Sequence, residues 1–392
     1  RISIVAFCER PETAAMIEAA SVDRRLAKTN VAVERGGLTQ AVQYFSEQPS
    51  PNLIVVESLS PGGRLLRELE QLAQLVDPTV KVIVLGAQND ILLYRELMRR
   101  CVSDYLVPPL QPVQLIRSIA NLYVDPDQPF TGKSIAVVGV KGGVGSSTIA
   151  HNLAWAIAEH TQINAALVDL DLTFGTTGLD FNQEPAQTIA DALMAPDRVD
   201  DAILDRLLTK ATERLSLLPA PATVDRTYDF ELEAYEIIIQ RVRQTVPLTV
   251  LDLPHVWTDW MRSTVITADE IVLVAAPELA SLRNAKNLID FLKAARPNDA
   301  LPKLVLNMTG VPKRPEIPVK EFGAAVGIEP CLVLPFEPQL FGTALNNGQM
   351  LAEVAPQSRC AEGMDYLAKL LTGREIQTVK ESLLSKVLKF KK

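Results

Sequence analysis

The residues best suited to chemistry lie in one stretch, Val140-Lys141-Gly142-Gly143-Val144-Gly145-Ser146-Ser147-Thr148. Glycines let successive backbone N–H groups turn to one side of a loop, with no Cβ to hold an anion away. An apolar strand-like run, Ser134–Val140, leads into the stretch, and a helical pattern leads out of it. The loop therefore sits at a helix N-terminus, where unpaired N–H groups and the helix dipole favour negative charge. That context suits the cradling of phosphate groups. Lys141 adds a cation; Ser146, Ser147 and Thr148 add hydroxyls. Two other apolar runs end in carboxylates, Val168-Asp169-Leu170-Asp171 and Leu248–Pro254 with Asp252. Carboxylates so placed can hold a hydrated divalent cation beside phosphates, although a lone strand-end aspartate is more often a turn or cap residue.

The elements that must position these residues alternate between short apolar runs and amphipathic stretches. Residues 1–124 read as five strand–helix units, with strands at Ile2–Cys8, Asn30–Glu34, Leu53–Glu57, Lys81–Leu85 and Tyr105–Val107. Residues 125–133 are rich in Pro and Asp and lack periodicity, which marks a linker. Residues 134–372 resume the alternation, with a helix expected over Thr148–Glu159 and the later strands expected to form a second parallel sheet. The fold class expected is α/β, as two doubly wound parallel-sheet domains. Residues 373–392 form a tail in which Ile376, Val379, Leu383 and Val387 share a helical stripe. From Glu375 onward it carries five lysines against two glutamates, net +3. Such a basic amphipathic helix suits an anionic membrane surface, or packs on its own domain with a solvated lysine face.

Composition narrows the function classes. The 392 residues carry 39 basic and 47 acidic side chains, net −8, so no global basic footprint favours nucleic acid. Cys8, Cys101, Cys331 and Cys360 form no CxxC pair, and His151, His160 and His255 do not cluster in sequence, which argues against a disulfide framework or a Cys/His zinc site. Apolar runs fall short of the ~18 residues that a spanning helix needs. A cytoplasmic protein is the expectation.

The glycine-rich stretch resembles the deviant P-loop, KGGxGK[ST]T, of the MinD/ParA (SIMIBI-class) ATPases. The resemblance implies ATP and Mg²⁺ as ligands and a P-loop domain. It makes Lys141 the signature lysine that reaches a partner protomer's phosphates across a homodimer. Gly142, Gly143, Val144, Gly145, Ser146, Ser147 and Thr148 become the nucleotide cradle, with Ser147 a metal ligand. Ser146 stands where the family has its second lysine. The missing cation lowers the expected stabilisation of developing phosphate charge, and with it hydrolysis. The same resemblance gives Asp171 the orienting of the attacking water, puts Asp169 near the metal shell, and makes Asp252 the Walker B carboxylate. Asn307 and Pro335 become base-site residues, Pro335 in a loop over the base.

The first domain resembles a receiver that has lost its chemistry. Asp104-Tyr105-Leu106-Val107-Pro108-Pro109 is similar to the DYLxKP signature with Val107 for lysine, and Glu57 stands at the phospho-acceptor position. Glu57 reads as a tolerated replacement or as a permanent mimic of the phosphorylated state. A pseudo-receiver followed by a MinD/ParA-like ATPase resembles the CpaE/TadZ family of Flp pilus assembly proteins over residues 1–372. That resemblance implies an ATP-dependent dimeric positioning factor, with pilus assembly proteins as partners of the pseudo-receiver, at the pole or the inner membrane face. Two other readings are a MinD-like membrane-cycling ATPase and a ParA-like DNA-segregation ATPase. Against the latter stand the acidic total and the receiver-like half.

Overall fold

The structure, a computed structural model, describes residues 2–27, 29–123, 130–223 and 226–373. The expected tail helix from Glu375 onward lies outside the described residues. These fall into two compact units, one built on residues 2–123 with Arg296–Asp299, the other on the remainder. Both are α/β, as the alternating pattern predicts.

In the first unit the strands are β1 (Ile2–Cys8), β2 (Thr29–Arg35), β3 (Leu53–Ser58), β4 (Lys81–Gly86) and β5 (Asp104–Leu106). They run parallel in the order β2-β1-β3-β4-β5. Helices α1 (Pro11–Ser21) and α5 (Pro112–Leu122) cover one face; α2 (Leu38–Phe45), α3 (Gly62–Leu75) and α4 (Ile91–Arg99) cover the other. β3 is buried at every position, so its run LIVVES is apolar without alternation except at its end. The sequence pattern extends the first helix to Leu26. The chain instead leaves the α-helix after Ser21, and Asp23 caps a separate short turn at Arg24–Leu26.

The second unit holds β6 (Lys133–Gly139), β7 (Ala165–Asp169), β8 (Thr209–Lys210), β9 (Leu215–Leu218), β10 (Leu248–Leu253), β11 (Glu270–Ala275), β12 (Lys303–Thr309) and β13 (Leu332–Pro335). Their order is β13-β12-β11-β6-β10-β7-β9-β8. Helix α6 (Ser146–His160) packs on one face with α16 (Arg359–Thr372). The opposite face carries α8 (Ile189–Met194), α9 (Asp201–Leu207), α10 (Leu232–Arg243), α11 (Asp259–Thr267), α12 (Leu279–Ala295) and α13 (Val319–Val326). α7 (Thr177–Asp180), α14 (Pro338–Asn347) and α15 (Leu351–Val354) complete the series. The sheet is not wholly parallel: β8 pairs antiparallel with β9, Thr209 opposite Leu217. Two residues are too few for a helical or strand period to show in sequence. Nor does the pattern reveal α14, which opens on Pro338, a residue tolerated at a first helical position because its missing N–H needs no partner there.

β6 lies between β10 and β11, so its carboxyl end is flanked on both sides by strand ends, where open α/β sheets bind ligands. Asp252 on β10 pairs in register with Asp169 on β7. Two carboxylates from distant sequence are thereby set side by side below the glycine-rich loop.

Candidate functional site

Gly139 ends β6, and α6 opens at Ser146, two residues before the sequence pattern places it. Gly143 (φ +80°) and Gly145 (φ +85°) adopt the left-handed conformation that lets the loop turn this tightly. Val144 is buried in the core beneath and pins the loop. Three side chains tie back its carbonyl oxygens. Asn307 Nδ2 donates to Val144 O at 2.9 Å, Asn284 Nδ2 donates to Val140 O at 2.9 Å, and His255 Nδ1 lies 3.1 Å from Gly139 O. These tethers use carbonyl oxygens and not the N–H groups of residues 141–146, which an anion cradle requires.

Lys141 is half-exposed and forms an ion pair with Glu278, at the start of α12. Ser146 Oγ would lie 2.8 Å from a Cβ added at Gly139, so its hydroxyl sits close over the end of β6. Thr148 and Asn307 line a cavity of about 130 Å³ with Gly145, Met308, Pro335 and Phe336. The structure thus gathers Gly145, Thr148, Asn307 and Pro335 around one hollow. Asn307 does more than border it, because its amide is committed to the loop. A larger cleft of about 410 Å³ lies on the other side of Val140, between Pro254–Trp257 and Asn284–Phe291. It is mainly apolar and holds no residue of the carboxylate pair.

The three aspartates differ in surroundings. Asp252 is 1% exposed, and its nearest cation is His151, whose Nε2 lies 3.3 Å from Oδ2 outside good hydrogen-bond geometry. Such a buried, under-satisfied anion calls for a cation. Asp169, fully buried, accepts from Asp171 N at 3.1 Å and from Thr177 N and Oγ1 at 3.2 and 2.8 Å. Burial and the neighbouring Asp252 charge push its carboxyl above the usual range, even against the Thr177 bonds. Asp171 Oδ1 accepts from the N–H groups of Thr173 and Phe174, an Asx-type turn that shapes the loop after β7.

Sequence reasoning missed His151. It lies one turn beyond Ser147 on α6, fully buried, with Nδ1 2.7 Å from Asp180 Oδ2. Its Nε2 is 3.0 Å from Thr177 Oγ1 and 3.3 Å from Asp252 Oδ2. Burial alone would lower the imidazole; the bond to Asp180 and the charge of Asp252 outweigh it and raise the group well above its ordinary value. His151, Asp169 and Asp252 each offer a ligand atom within 4.8 Å of the others. The signal in sequence was the four-residue step from Ser147, which puts both side chains on one face of a helix. Glu278, Asn284 and His255 carry no such local signal.

In the first unit Glu57 is fully buried and takes four donors: Glu9 N and Arg10 N on Oε2, at 2.8 and 2.9 Å, and Arg10 Nε and Thr13 Oγ1 on Oε1, both at 2.7 Å. Burial opposes the charged form, but the Thr13 and Arg10 bonds prevail and lower its pKa. The side chain clamps the β1–α1 turn onto β3.

A family model described as an AAA domain matches residues 132–303. The pilus assembly protein CpaE from Caulobacter crescentus CB15 is 55% identical, over 31% of this chain in its N-terminal part and 100% of that chain, with a TM-score of 0.31. A ParA family ATPase from Chlorobium tepidum TLS is 26% identical, over 60% of this chain and 98% of that one, with a TM-score of 0.55. The septum site-determining protein MinD from Pyrococcus horikoshii OT3, solved with Mg-ADP, is 22% identical over 61% of this chain and 96% of that one, at a TM-score of 0.54, a likeness of fold. The CpaE match rests on sequence: more than half of the positions agree along that relative's whole length. The chain belongs to the CpaE family of pilus assembly proteins, and its second unit has the MinD/ParA P-loop fold.

Proposed function

We propose that this protein is an ATP-binding positioning factor for pilus assembly, switched by nucleotide-dependent dimerisation on the cytoplasmic side of a membrane. The observation that carries this reading is the glycine cradle, tethered by its carbonyls and opening α6, together with the buried, under-satisfied carboxylate of Asp252. Residues 142–147 bind the phosphates; Ser147 and Asp252 hold Mg²⁺, which neutralises phosphate charge. Asp169 supports that shell, Asp171 orients water, and the hollow beside Asn307 and Pro335 takes the base. The MinD relative solved with Mg-ADP supports the choice of ligand. The pseudo-receiver presents the surface that pilus assembly proteins meet.

Titration calorimetry with Mg·ATP tests the core of this reading. Saturable uptake is expected; none at millimolar nucleotide overturns it. Hydrolysis is expected to be slow, since Ser146 supplies a neutral hydroxyl where a cation would stabilise the transition state. Ser146→Lys should raise turnover by at least about tenfold, on the scale of one restored charge contact. Brisk wild-type turnover that Asp171→Ala abolishes would defeat the slow-hydrolysis claim.

The Lys141–Glu278 pair bears on dimerisation. A lysine held within its own chain is not free to meet another copy's phosphates. Glu278→Gln, which removes the charge and keeps the shape, should move the ATP-bound monomer–dimer equilibrium toward dimer by a few-fold, because an exposed pair contributes little. Lys141→Ala should abolish the dimer. Sedimentation with and without nucleotide reads both.

A further inference from the structure

We propose that His151 is a positioning residue that couples magnesium capture at Asp252 to the loop 170–180. The proposal rests on the nucleotide-and-magnesium reading above and names a part of that site which the glycine-rich motif does not assign.

The geometry is a strut. One fully buried ring on α6 touches Asp252 at the end of β10 through Nε2, at 3.3 Å, and Asp180 at the end of α7 through Nδ1, at 2.7 Å. Nε2 also lies 3.0 Å from Thr177 Oγ1, and Thr177 in turn bonds Asp169. The loop between Asp169 and Asp180 carries Asp171, so its two ends are fixed on one imidazole network. α6 is the helix that opens on the cradle, and its Ser147 is one turn from His151.

A hydrated cation held by Asp252 competes with His151, 3.3 Å from Oδ2, for the charge of one carboxylate. Magnesium therefore favours one arrangement of Asp252, and the ring favours another. That difference in interaction is what a ligand needs to shift a two-state element. Once Asp252 turns to the cation, His151 keeps Asp180 and Thr177, and the 170–180 segment follows the ring. A histidine that merely satisfies buried polar groups would stabilise the fold without linking the two events.

The test is hydrogen exchange on the full-length protein, read on peptides spanning residues 170–182, with ATP plus chelator and with ATP plus Mg²⁺. In wild type, Mg²⁺ should change the exchange rate of this segment by at least about fivefold, the low end of a coupling between sites. In His151→Gln, which has similar bulk but cannot bridge both carboxylates, the magnesium increment should fall below about twofold, with magnesium-free ATP affinity unchanged. If the folded variant keeps the wild-type increment, or loses ATP affinity equally with and without Mg²⁺, the residue is only structural and the proposal is wrong. Should His151→Gln fail to fold, Thr177→Val removes the hydroxyl bridge between the ring and Asp169 while keeping the ring, and the same two outcomes decide. Wild type that binds no ATP refutes the nucleotide reading; wild type that binds Mg·ATP without any response in 170–182 refutes only the coupling.

Discussion

Gly145→Ala will remove nucleotide binding while leaving the protein folded. The residue sits at φ +85°, and a Cβ built there lies 2.7 Å from Asn307 Nδ2. Left-handed backbone costs an alanine about 1–2 kcal/mol before any contact is considered. The steric conflict is worse placed than it is large. Asn307 Nδ2 holds the Val144 carbonyl at 2.9 Å, so displacing that amide releases the tether that turns the loop's N–H groups outward. Relaxation and binding therefore compete: the backbone either keeps the strain or loses the cradle. A loss on the order of 100-fold in Mg·ATP affinity is expected, equivalent to about 2.7 kcal/mol. Calorimetry measures it, and a melting temperature only a few degrees below wild type shows that the fold persists. Gly142→Ala is the matched control for folding, since nothing lies within 4 Å of its added Cβ and its φ is not positive. An affinity within threefold of wild type in Gly145→Ala would mean that phosphates do not use this loop.

What could be read in the sequence followed how local each feature is. The glycine-rich loop is set by glycines within one turn of chain and by the strand and helix beside it, so its place at the head of α6 was legible. Asp169 and Asp252 were legible as strand ends; that they are register partners was not, because pairing order is decided by packing on both faces of the sheet. His151 reads in sequence as one more residue of a helix, and only the fold brings Asp180 and Asp252 to its two nitrogens. Asn307 shows a different limit. The resemblance implies a contact with the base, and the structure adds a bond from its amide to Val144 that the motif does not announce. Lys141 is likewise drawn to Glu278, a partner that no motif spacing announces. Short or proline-opened elements such as β8 and α14 carry too little periodicity to be seen.

Glu57→Gln will destabilise the first unit by about 3 kcal/mol, the low end for breaking a buried ion pair. The expectation follows from the donor count. Oε1 and Oε2 each accept two bonds, from Arg10 Nε with Thr13 Oγ1 and from the N–H groups of Glu9 and Arg10. A glutamine keeps one oxygen, and its amide must then face two donors whichever way it is flipped. Each buried donor left without an acceptor costs about 1–3 kcal/mol. The half-exposed Arg10 can swing into water and recover part of this, which keeps the total near the lower bound. The pH dependence separates this cause from lost packing. The folded pKa of Glu57 is depressed, so the unfolded state takes up its proton first as pH falls. The stabilisation is therefore present in full above the ordinary glutamate range, near pH 4.3, and is lost as pH falls toward the folded pKa. Wild type should lose the advantage over Glu57→Gln in that acidic window and hold it at neutral pH. Thermal melts of both proteins between pH 3 and 7 would show it; parallel curves, with a constant offset, would mean that folding leaves the Glu57 pKa unshifted and that the clamp does not operate. Both oxygens of the side chain are taken up by donors of the protein itself, so Glu57 is a structural lock that holds the β1–α1 turn on β3.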